Sequence, residues 1–118
     1  MDGGGCNVHD DHARTARVTG LGTSLPDRVL TNADFARMVD TTDEWIVART
    51  GMKERHVVGD GESLATIAID AGKKALAEAG VAPEQVELMI LATATPEQPI
   101  PATSAIIQPA LGLVNATC

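Results

Sequence analysis

Trp45 and Arg49 stand four residues apart in a polar stretch of a chain that holds one tryptophan, one phenylalanine (Phe35) and no tyrosine. On a helix, positions i and i+4 share a face. An indole beside a guanidinium there makes a surface that stacks on a planar partner. A structural reading competes with it: the indole packs on its own domain, and Arg49 pairs with Asp43 or Glu44. Spacing alone leaves both readings open.

Three other groups of residues invite a chemical reading. Cys6, His9, Asp10 and His12 lie close together near the start. Their spacing matches no standard zinc site, which needs four well-placed ligands, so they read as a solvated tail with no metal. Gly20 and Gly22 form a G-x-G in RVTGLGTS. A dinucleotide loop needs a third glycine and an immediate helix, whereas Leu25-Pro26 follows here. Those glycines point instead to close backbone approach inside a sheet. Cys6 and Cys118 are the only cysteines and make a poor disulfide framework.

The elements that must position these residues follow from local pattern. Residues 17–24 read as a strand. Thr31 or Asn32 can cap a helix over 33–39, with Phe35, Met38 and Val39 as its apolar side. Thr41 or Thr42 can cap a second helix over 43–49, which Gly51 stops. Residues 53–58 look extended. The clearest helix spans 63–79, where Leu64, Ile67, Ala68, Ala71, Ala75, Leu76 and Ala79 keep helical period between Ser63 and Gly80. Its alanine-rich stripe predicts a close neighbour. Pro83 to Gln85 makes a turn, and VELMILATA over 86–94 reads as a strand covered on both faces. A Pro-rich loop follows, then a helix over 102–111 that Pro109 kinks or ends early. Residues 114–118 read as the first part of another strand. Strand, helix, strand at this spacing predicts βαβ units, a parallel sheet and a right-handed crossover.

Composition sets the outer limits. The 118 residues carry a formal charge of −7 and are 44% hydrophobic. Such a balance disfavours nucleic acid, whose phosphates call for Lys and Arg, but leaves room for a small anionic ligand on a local basic patch. No window approaches a bilayer span, and no signal peptide is legible; the expectation is a soluble, cytoplasmic protein. Residues 1–14 read as a disordered tail and 15–118 as one partial domain, because the pattern breaks off within an element.

The run GLGTSLPDRVLTNADFARMVDTTDEWIVARTGMKERH resembles the N-terminal signature of the β-ketoacyl-[acyl-carrier-protein] synthase III family. The similarity continues through ESLATIAIDAGKKALAEAG and ELMILATATPEQPIPATSAIIQPALGL, and DTTDEWI followed by RTGMKERH is its most specific part. What the resemblance implies is an α/β chain forming the N-terminal part of a thiolase-like fold, with βαβ units in a mixed or parallel sheet under covering helices, truncated before the nucleophile. It further implies an acyltransferase of type II fatty acid synthesis, usually a homodimer, with no permanently bound cofactor. Such an enzyme moves an acyl group from coenzyme A to a cysteine. It then condenses that group with malonyl-acyl carrier protein, releasing carbon dioxide. A cysteine thiolate at a helix N-terminus serves as nucleophile, and positioned donors stabilise the charge formed on decarboxylation.

Carried over residue by residue, the resemblance assigns three positions to a coenzyme A site. Trp45 matches a tryptophan that stacks on adenine, Arg49 an arginine near the nucleotide phosphates, and Thr41 a hydroxyl that reaches the nucleotide. Ile100 matches a bulky position near the acyl pocket of the dimer partner. No catalytic residue is assigned: Cys118 falls several residues before the nucleophile's place, and His56 matches a structural position. The segment alone is expected to be inactive. The alternatives are another thiolase-fold condensing enzyme, such as a hydroxymethylglutaryl-CoA or quinolone-type synthase, and a non-catalytic coenzyme A- or partner-binding module.

Overall fold

The computed structural model describes residues 15–118. The proposed tail, residues 1–14 with Cys6, His9, Asp10 and His12, lies outside the described residues. In chain order the elements are strand β1 (Val29–Thr31), helices α1 (Asn32–Ala36) and α2 (Asp43–Thr50), strand β2 (Glu54–His56), helix α3 (Leu64–Ala79), a 3₁₀ turn (Pro83–Gln85) and helix α4 (Thr103–Ala110). No helix of the described residues is long and apolar enough to cross a membrane.

The helix boundaries follow from local hydrogen bonding. Thr31 caps α1 by a reciprocal exchange with Asp34: the Thr31 hydroxyl accepts from the Asp34 N–H, and the Asp34 carboxylate accepts from the Thr31 N–H. Asn32 does not cap; it is the first helical residue and is buried. Helix α1 also ends sooner than the apolar pattern predicts, so Met38 and Val39 lie past it and remain exposed. Thr42 caps α2 through the Trp45 N–H, and Gly51 closes it at φ 70°, a left-handed conformation that costs glycine nothing. Ser63 and Thr66 form a second reciprocal cap on α3, which Gly80 ends at φ 63°. Pro109 sits in the last turn of α4, where it cannot donate to the Ala105 carbonyl and its ring crowds that group, and the helix ends one residue later at Ala110.

Three strand expectations require correction. Residues 17–24 form no strand. They run along α3, and the close approach read from Gly20 and Gly22 is to that helix rather than within a sheet. A Cβ on Gly20 would lie 2.5 Å from the Ala75 carbonyl oxygen and 2.7 Å from the Ala79 nitrogen. This segment is therefore the neighbour that the alanine stripe of α3 implied. Two side chains one turn apart tie it down: the Leu21 N–H donates to Glu78 at 2.9 Å, and Lys74 donates to the Thr23 carbonyl at 3.1 Å.

The apolar run over 86–94 pairs at one point, a parallel bridge between Leu88 and Thr117. Its two bonds run from the Met89 N–H to the Thr117 carbonyl and from the Thr117 N–H to the Glu87 carbonyl, each 2.9 Å. Bridge and α4 together trace the predicted βαβ path, but the run is not covered on both faces: Leu88 and Ile90 are exposed. The regular sheet is instead an antiparallel pair, β1 against β2, with Leu30 opposite Arg55. Small cores serve each part, Ile46 under α2 and Ala65, Ile107 and Leu113 between α3 and α4. Leu111 meets Gly72 where those two helices cross; a Cβ there would stand 2.9 Å from a Leu111 methyl.

Glu97 fastens the Pro-rich loop to α3. Its carboxylate accepts from the Ala65 N–H at 2.8 Å. That bond, with help from the Ser63 hydroxyl, holds the carboxyl below its ordinary value of 4.5. A depressed carboxyl stabilises the fold above the unfolded value and loses that contribution as pH falls through the folded one. Glu97→Gln keeps an acceptor oxygen but no charge. The thermal midpoint of the unsubstituted protein should therefore exceed that of the variant above about pH 5, and the gap should close as the solution is acidified below 4.5.

Candidate functional site

Helices α1 and α2 and the turn between them border an open cavity of about 480 Å³, within the range of small-molecule sites, about 300–1,000 Å³. Phe35 and Val39 line one side, Asp40, Thr41 and Thr42 the turn, and Trp45 and Ile46 the face of α2. The placement follows from sequence. Thr42 fixes where α2 starts, so Trp45 falls in its first turn and faces outward while Ile46 turns into the core.

Trp45 is 56% exposed, and the Arg49 guanidinium lies over its ring with Cζ 4.6 Å from the centroid. Among the described residues the ion pairs are Arg37 with Asp34 and Lys74 with Asp70; neither Asp43 nor Glu44 pairs with Arg49. Arg49 thus meets the indole and not an acidic neighbour. One face of the ring carries the cation. Stacking a planar ligand requires either the other face or displacement of Arg49.

Thr41 completes the set. The residue lines the cavity, while its hydroxyl oxygen is buried and has no hydrogen-bond partner among the described residues. An unsatisfied buried hydroxyl costs about 1–3 kcal/mol, and a ligand in the cavity meets this one only where the turn shifts to uncover it. Thr41, Trp45 and Arg49 therefore gather at one place, although Arg49 stands over the indole and does not line the cavity itself.

The remaining candidates lie elsewhere. His56 directs Nδ1 at the Pro26 carbonyl, 2.6 Å away; a carbonyl only accepts, so the ring presents its N–H there and acts as a structural tie between β2 and the segment before β1. Cys118 is exposed and donates its thiol to Gln108 Oε1 at 3.0 Å. Ile100 is 87% exposed. Among the described residues no three His, Cys, Asp or Glu side chains converge as metal ligands would. Sequence reasoning noticed Asn32 only as a possible cap. Its burial beside Asp43 and Arg55 joins residues up to 23 positions apart, and no local signal reports that.

No family model matches the chain. The β-ketoacyl-[acyl-carrier-protein] synthase III of Symbiobacterium thermophilum is 52% identical over 103 residues, covering 87% of this chain and 31% of that protein. The synthase III of Rhodospirillum centenum is 54% identical over 98 residues, covering 83% and 30%. Among solved structures, 3-oxoacyl-[acyl-carrier-protein] synthase III of Aquifex aeolicus aligns with a TM-score of 0.75 at 44% identity, over 83% of this chain and 32% of that one. The Thermus thermophilus synthase III aligns at 0.73 and 42% identity, over 86% and 32%. The fold is that of the thiolase-like ketoacyl synthases, present here in part. Within that class, the chain belongs to the β-ketoacyl-[acyl-carrier-protein] synthase III family. It spans about a third of the length of the curated relatives it matches.

Proposed function

We propose that this chain supplies part of the coenzyme A thioester site of an acyltransferase that condenses an acyl-CoA primer with malonyl-acyl carrier protein, giving β-ketoacyl-carrier protein, coenzyme A and carbon dioxide. The observation that carries the reading is the cavity between α1 and α2, with an exposed indole, a guanidinium and an unpaired hydroxyl at one place. In this reading Trp45 stacks on the adenine, Arg49 leaves or leans from the ring to meet phosphate oxygens, and Thr41 bonds the nucleotide. A guanidinium suits paired phosphate oxygens better than an ammonium does. No step of the reaction is assigned to a residue of this segment, because His56 and Cys118 are engaged away from the cavity. The full enzyme works as a homodimer in this reading and keeps no resident cofactor.

Because the chain has one tryptophan, its fluorescence reports on the site directly. Coenzyme A should quench Trp45 in a saturable way; unchanged emission at millimolar ligand overturns the assignment. Arg49→Ala should weaken coenzyme A about tenfold at low salt and less at high salt, since screening erases part of an exposed charge contact. Arg49→Lys should recover only part of the loss. Titrations at two ionic strengths, followed by calorimetry, check both.

A further inference from the structure

The side chain that grips the site from behind is Asn32. It is 2% exposed, and its amide makes three hydrogen bonds at one point. Nδ2 donates to Asp43 Oδ1 at 2.7 Å and to the Met52 carbonyl at 2.9 Å, and Oδ1 accepts from Arg55 Nη2 at 2.7 Å. Asp43 is the first residue of α2, and Met52 follows the glycine that closes it. One amide therefore holds both ends of the eight-residue helix that carries Trp45 and Arg49. On its third side it holds Arg55, whose guanidinium lies 4.7 Å from the centroid of Phe35, a cavity wall.

We propose that Asn32 is a positioning residue, setting the pose of α2 and so the placement of Trp45 and Arg49 at the cavity. The chemistry demands this residue type. The centre needs two donors, for a carboxylate and a carbonyl, and one acceptor, for a guanidinium; a short primary amide supplies all three. Aspartate would offer no donor and would face the Asp43 carboxylate. Alanine would leave a carboxylate, a carbonyl and a guanidinium N–H without their partner in a partly buried place. The charged groups facing Asn32 are Asp43 and Arg55, of opposite sign, so the amide sits between them as a neutral link.

The coenzyme A arm of the test rests on the function proposed above; a second arm does not. In the ligand-free protein, time-resolved anisotropy of Trp45 reads how firmly α2 is held. Asn32→Ala and Asn32→Asp should each add a fast depolarising component while the helical circular dichroism persists, and should weaken coenzyme A at least fivefold. Asp43→Asn keeps an acceptor for the Asn32 amide and should stay within twofold on both readouts. Ile107→Val, which trims the core between α3 and α4, should leave the anisotropy unchanged. Should the Asn32 variants fail to fold, Asp43→Ala carries the same expectation of faster indole motion. Anisotropy in the Asn32 variants equal to the unsubstituted protein, or an equal loss in Ile107→Val, overturns the proposal. If the unsubstituted protein does not bind coenzyme A, the functional reading falls, and the anisotropy arm still decides the role of Asn32.

Discussion

Trp45→Ala is expected to weaken coenzyme A binding by roughly 5- to 150-fold, the equivalent of the 1–3 kcal/mol that a base–aromatic stack is worth. The fold should survive the change, because the indole is more than half exposed and the buried neighbour Ile46 remains under α2. Calorimetry is the appropriate measurement, since the substitution removes the fluorophore. Trp45→Phe keeps a smaller ring and should lie between the two. The contrast that matters is affinity against stability: a large loss of binding with an unchanged thermal midpoint places the indole in contact with ligand. A midpoint that falls in step with affinity would make Trp45 a packing residue.

Gly22→Ala should damage the fold more than any other glycine-to-alanine change in the described residues. The new Cβ would lie 2.5 Å from the Ala75 nitrogen and closer still to the Ala71 carbonyl oxygen. Both are backbone atoms of α3, hydrogen-bonded into the helix, so no rotamer change relieves the clash. Overpacking usually costs about 1–3 kcal/mol, occasionally more, and the rigid neighbours put this case at the top of that range. A thermal midpoint lowered by more than about 10 °C follows for a domain of this size. Gly59→Ala is the matched control. Its Cβ would meet only the Glu62 carboxylate end, at 3.2 Å, and flexible side chains give way at little cost. Similar midpoints for the two variants would refute the tight seating of residues 20–22 on α3.

What the sequence disclosed and what it hid divide along a physical line. Caps and stops are decided within a turn of chain, so Thr42, Ser63, Gly51 and Gly80 were all legible. The i, i+4 pairing of Trp45 with Arg49 is likewise local, and it delivered the stacked pair. Strands are a property of partners. The run over 86–94 has the residues of a strand, yet a ladder needs neighbours on both sides and Thr117 alone pairs with it. Conversely, β1 is three residues that pair with a segment 25 positions on, and nothing in Val29, Leu30 or Thr31 announces it. Glycine spacing correctly signalled a close contact at Gly20 and Gly22 but not its nature, since a helix and a sheet make the same demand on Cβ. Thr41 entered the site only through family resemblance; local pattern offered it as an alternative cap to Thr42. The Asn32 network was invisible for the reason that burial always is: it depends on four segments meeting.

The bracket that Lys74 and Glu78 form around residues 21–23 has a consequence in time. Leu21 and Thr23 find their partners 57 and 51 positions later in the chain. During synthesis at about 5–20 residues per second, the first of these contacts waits roughly 3 to 11 seconds after its own residue is made. Until Glu78 is made, the backbone of residues 21–23 lacks the helix it is tied to, so this segment takes its place only after the helix that follows it by some fifty positions has been synthesised.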